Sequence, residues 1–106
     1  MTDFLLLFRF PPGVPPSAAE MESWGKWMAG LAKKGHLKNP GAPVEFTGAV
    51  LSGRDVVPGM LEEDGTVVGG FMILEAKTLK QATKLASGCP ILQGDGMVEV
   101  RPLGAM

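Results

Sequence analysis

The chain has 106 residues, a formal net charge of −1 and 20% charged residues, which is enough for one domain and leaves no charge excess of either sign. It shows neither the basic stripe of a nucleic-acid binder nor the ~20-residue apolar run of a membrane-spanning helix, so neither partner is expected. The single cysteine, Cys89, allows no internal disulfide, and the expected compartment is the reducing cytoplasm.

The apolar run Phe4-Leu5-Leu6-Leu7-Phe8-Arg9-Phe10 predicts a first strand. Successive strand side chains point to opposite faces. One face carries Phe4, Leu6, Phe8 and Phe10; the other carries Leu5, Leu7 and Arg9. A strand apolar on both faces requires cover on both. Pro11-Pro12-Gly13-Val14-Pro15-Pro16 then stops the ladder as a stiff loop. Ser17-Ala18-Ala19-Glu20 has capping-box spacing and opens a helix. Met21, Trp24, Met28 and Leu31 form its apolar stripe, Trp27 widens it, and Gly35 ends it.

The segment from Leu37 to Thr47 reads as irregular, with Asn39-Pro40-Gly41 as a turn. Gly48 to Ser52 reads as a short second strand, extended by Asp55 to Val57 after a kink at Gly53-Arg54. Leu61 to Gly65 is an acidic loop. Val67 to Leu74 is a third strand, apolar on both faces. Thr78-Leu79-Lys80-Gln81 is a second capping box, and its helix turns Leu79, Ala82, Leu85 and Ala86 inward. Gly94-Asp95-Gly96 is a turn, and Met97 to Arg101 alternates as a closing strand.

This order is that of a ferredoxin-like βαββαβ sandwich of the α+β class, with an antiparallel sheet and two helices on one face. In that topology the first and third strands are central, and these are the two that are apolar on both sides. The helix-free face is therefore an apolar patch larger than a monomer usually shows. A homodimer pressed together through that face is expected, within a single domain spanning residues 1–106.

Few residues suggest chemistry. His36, the only histidine, is a general base or a helix-end residue that bonds backbone carbonyls. Arg9 anchors an anionic ligand, or it is a strand-end arginine paired with Glu75 or Glu99. Trp24, Met28, Met60 and Met72, with Trp27, line an apolar ligand pocket or pack in the core. Cys89 reads as a packed thiol. No metal-ligand spacing, phosphate loop or nucleophile elbow is present, and no cofactor is expected.

The stretch Val68-Gly69-Gly70-Phe71-Met72-Ile73-Leu74-Glu75-Ala76, followed by Gly88-Cys89-Pro90-Ile91-Leu92 and Val98-Glu99-Val100-Arg101-Pro102, resembles the YCII-related proteins, especially the DGPF-domain branch. The opening strand and the helix from Trp24 to Met28 are also similar to that branch. The resemblance implies a ferredoxin-like fold, a dimeric α/β barrel and an activity that is mostly unassigned. For the founding branch it implies an enzymatic role built on a His–Asp pair. By spacing from Gly35, Trp24 stands at the histidine position and about Lys33 at the aspartate position. Pro58-Gly59-Met60-Leu61 replaces the Asp-Gly-Pro-Phe motif, and neither Trp24 nor Lys33 can play the original role in a family-type proton relay. The expected function is small-ligand binding in a pocket between helix and sheet or in the barrel interior. The alternatives are a small lyase, isomerase or hydrolase that uses His36 or a loop carboxylate, and a non-catalytic interaction module.

Overall fold

The strand expected from Phe4 to Phe10 occupies Thr2–Phe10 (β1) in the computed structural model, which describes residues 1–13 and 16–104. Val14 and Pro15, in the middle of the expected stiff loop, lie outside the described residues. Helix α1 spans Ala18–Lys33, and Ser17 caps it by accepting the Glu20 N–H at 3.1 Å. It ends as the Gly35 and His36 N–H groups donate back to the Ala32 and Leu31 carbonyls. Strands β2 (Leu37–Pro43), β3 (Ala49–Ser52), β4 (Asp55–Pro58) and β5 (Val67–Ala76) follow. Helix α2 covers Leu79–Ala86, a 3-10 turn covers Pro90–Gln93, and β6 covers Met97–Pro102.

The main sheet has the order β2-β5-β1-β6, with every neighbouring pair antiparallel. This is the ferredoxin-like arrangement, and its central strands are the two that are apolar on both faces. Phe4, Leu6, Phe8, Met72 and Leu74 point to the helix-covered side and are almost fully buried. Leu31, Ala82, Ala86, Cys89 and Ile91 complete that core.

One strand assignment is corrected. The second sheet strand is Leu37–Pro43, inside the segment expected to be irregular, and not the stretch from Gly48 to Val57. Pro40 and Pro43 donate no hydrogen bond, and such residues survive in a sheet only at an edge, where β2 lies. Its ladder to β5 shifts register twice, between Leu37 and Asn39 and between Asn39 and Ala42. At the second shift Gly41 adopts φ +65°, and a Cβ there would overlap the Phe71 carbonyl. No alternation of apolar residues marks such a strand.

The apolar residues from Ala49 to Val57 instead form a separate β3–β4 hairpin, in which Val50 pairs with Val57 and Leu51 with Val56. The expected kink at Gly53-Arg54 is the turn of this hairpin. Leu51, Val56 and Val57 are 71%, 64% and 56% exposed, so the arm is not part of the core. Leu79, expected to face inward, opens α2 at 50% exposure, while Ala82 and Ala86 carry the buried face.

Candidate functional site

Burial along α1 rises from one end to the other. Met21 is 63% exposed, Trp24 and Met28 are half-buried, and Leu31 is 5% exposed. The helix therefore packs on the sheet at its C-terminal end and stands off it at its N-terminal end. The gap is an open cavity of about 430 Å³. Met21, Trp24 and Met28 form its helix side, and Phe8, Phe10 and Met72 its sheet side. The irregular end of β2, Pro40 to Val44, and Phe46 beyond it supply the third wall. Gly69 matters here, because a Cβ on it would overlap the Phe10 ring, so only glycine lets that ring lie against β5.

The lining is apolar throughout. Among the described residues no titratable side chain borders the cavity, and Trp24 carries the only side-chain hydrogen-bond donor on it. Trp24 is held by rings on two sides. Its centroid lies 4.6 Å from Phe8 and 5.5 Å from Trp27, both edge-on at 86° and 81°. Such geometry aligns ring edges with ring faces and adds to the burial energy. The Trp27 indole N–H donates to the Leu85 carbonyl at 3.2 Å. The Trp24 N–H finds no acceptor among the described residues and is not sealed from solvent.

Of the residues singled out in the sequence, Trp24, Met28 and Met72 come together on this cavity. Arg9 and Met60 do not. Arg9 lies on the opposite, helix-free face, where its guanidinium is 3.5 Å from Glu99. The other Glu99 oxygen meets Arg101 at 3.3 Å. Around Arg9 a shallower depression of about 270 Å³ is bordered by Glu63, Asp64 and Glu99 as well as Met97 and Val98. The carboxylates there oppose a second anion. Met60 borders neither cavity.

His36 is also remote from the cavity. Its Nδ1–H donates to the Glu75 carbonyl at 2.9 Å, and its own carbonyl accepts the Glu75 N–H at 2.7 Å. It ties the end of α1 to β5. Lys33 is exposed in the last turn of α1. Cys89 is buried in the core, and burial pushes its thiol up to about 12, partly offset by the Ile91 backbone. A thiol held protonated in this way is a packing residue and not a nucleophile at neutral pH. Among the described residues no group of three or more histidine, cysteine or acidic side chains is placed to hold a metal ion.

Sequence reasoning missed Phe8, Phe10, Phe46 and the Pro40–Val44 wall. The helical stripe through Met21, Trp24 and Met28 was visible, but which strand segment faced it depended on the displaced second strand.

The model of the YCII-related domain matches residues 2–106. The chain belongs to the YCII-related family. No curated protein matches this YCII-related chain. Among its described residues no helix is long and apolar enough to cross a membrane.

Proposed function

We propose that this YCII-related protein, of the DGPF-like branch, is a cytoplasmic homodimer that binds a small uncharged organic molecule in the cavity between α1 and the sheet. The observation that carries this reading is an apolar cavity of about 430 Å³, within the size range of small-molecule sites. An uncharged molecule leaves water there without leaving a charge unpaired. The dimer reading rests on the helix-free face. Leu5, Leu7, Phe71 and Ile73 form its contiguous centre, by their register across β1 and β5, and no helix lies over them. The charged groups sit around that centre. Lys38 bridges Asp3 and Glu75 at 3.1 and 3.6 Å on one side, and Arg9, Glu99 and Arg101 interact on the other. An apolar centre with a polar rim is the anatomy of a protein interface.

The cavity favours this reading over a non-catalytic interaction module. The position of His36 gives an acid/base enzyme no support, because its Nδ1–H is committed to Glu75 and the ring lies off the lining. The test is a titration with decahydro-2-naphthol and 2-naphthol, followed through the methionine methyl resonances. Binding in the cavity shifts Met21, Met28 and Met72 and leaves Met1 and Met60 in place. A Met28→Trp variant, which fills the space, abolishes the shifts while the fold persists. Failure of both probes to move the three signals, or equal binding by Met28→Trp, overturns the reading.

A further inference from the structure

Five of the chain's aromatic residues border this one cavity: Phe8 and Phe10 from β1, Trp24 from α1, Phe46 after β2, and Phe71 from β5, whose register with Leu7 puts its side chain on the helix-free face. Of these rings Phe8 is almost fully buried, like Phe4 further along β1, and Phe10, Trp24 and Phe46 stand partly open to the cavity. Three of these rings are held by their neighbours. Phe10 is seated on Gly69, and Trp24 is clamped edge-on by Phe8 and Trp27. Fixed rings offer faces and edges to a further ring, which gains from stacked or edge-on contact beyond what its buried area supplies. Against this apolar wall stands, among the described residues, a single side-chain donor, the Trp24 N–H, with no acceptor among them.

Resting on the binding function proposed above, we infer that the ligand class is a neutral aromatic molecule bearing one hydrogen-bond acceptor, such as a ring hydroxyl or ring carbonyl oxygen, received by Trp24. The rings select an aromatic body. Among the described residues the lining holds no cation, which selects against a carboxylate, because an anion there gives up its hydration with no charge in return. The donor selects for one oxygen. Arg9, which could have paired an organic acid, serves the other face of the sheet.

The test compares three probes of one skeleton, 2-naphthol, decahydro-2-naphthol and 2-naphthoate, by calorimetry on the full chain at neutral pH, with the methionine methyl shifts locating the site. The saturated alcohol has no ring face, and a merely greasy cavity holds it at least as well as the aromatic alcohol. The expected result is that 2-naphthol binds about threefold to tenfold more tightly than decahydro-2-naphthol. It also binds at least about tenfold more tightly than 2-naphthoate. Trp24→Phe, which keeps a ring and removes the donor, is expected to weaken 2-naphthol about fivefold and leave naphthalene unchanged. Equal or tighter binding of the saturated alcohol overturns the aromatic class while leaving a binding cavity in place. Equal binding of the naphthoate overturns the neutral class, and an unchanged 2-naphthol affinity in Trp24→Phe overturns the donor role. Absence of methionine shifts with all three probes overturns both this inference and the binding function itself.

Discussion

The two faces of the central strands carry nearly the same residues and end in different states. On β1, Phe4, Leu6 and Phe8 are sealed under the helices, and their neighbours Leu5 and Leu7 are half-buried on a face with no helix over it. On β5 the same contrast separates Met72 and Leu74 from Phe71 and Ile73. Hydrophobicity alone does not tell the faces apart. Leu6 and Leu7 differ only in which side of one strand they occupy. The difference shows in the company they keep. Among the described residues no charged side chain is buried, and the open face is bordered by Asp3, Lys38, Glu75, Arg9, Glu99 and Arg101. One face is a finished interior of a single chain, and the proposed dimer makes the other an interior shared between two.

The sharpest way to break that contrast is to truncate a side chain on each face. Leu74→Ala, at a position with no exposure, is expected to lose about 2–5 kcal/mol in urea unfolding, whatever the protein concentration. A loss below about 1 kcal/mol would mean that the covered face is not the finished core described here. On the open face Leu7→Lys is expected to leave the single-chain fold intact by circular dichroism, since its side chain stays in water when no partner is present. In a dimer the same lysine is buried without a partner, and association weakens roughly a hundredfold or more. Sedimentation of the parent chain at micromolar concentration should give twice the mass of one chain, and the variant should give one. A parent that sediments as a single chain removes the shared-interior reading.

A smaller effect tests the sealing of the covered face through Cys89. Its thiol is raised from 9.0 to about 12 in the folded protein by burial. Between those values the unfolded chain has lost the proton and the folded chain keeps it. The unfolded state then binds fewer protons, so stability falls as pH rises through that window. The expected loss attributable to this group is roughly 1 kcal/mol by pH 10, and Cys89→Ala should remove it from the pH profile. A folded protein whose Cys89 reacts quickly with a thiol reagent near pH 8 would show that this side of the sheet is not closed.

Much of the fold was legible because its signals are local. The alternation in Phe4 to Phe10 and Val67 to Leu74, the caps at Ser17 and Thr78, and the stop at Gly35 each depend on residues within a turn or two. Strand β2 was not legible, because its place rests on partners some thirty residues away in β5 and on a close approach to the Phe71 carbonyl that only a residue without a Cβ, Gly41, can make. The cavity followed the same division. Trp24 and Met28 stood out as a helical stripe and Met72 as a strand residue, but Phe46 and the Pro40–Val44 wall became neighbours only once β2 was placed. Arg9 stood out as a charge among apolar residues, and the register opposite Met97, two pairs beyond Leu7 and Glu99, put it on the helix-free face beside its carboxylate.

The sequence by itself determined the class of fold, the order of its main elements and the presence of two apolar central strands, since side-chain periodicity and capping are short-range effects. Only the tertiary structure decided which edge segment completes the sheet, that α1 lifts off it at one end, and that the aromatic residues meet around the gap. Those outcomes depend on how the backbone of one segment clears the atoms of another, and contacts between residues distant in sequence leave no periodic trace in the order of amino acids.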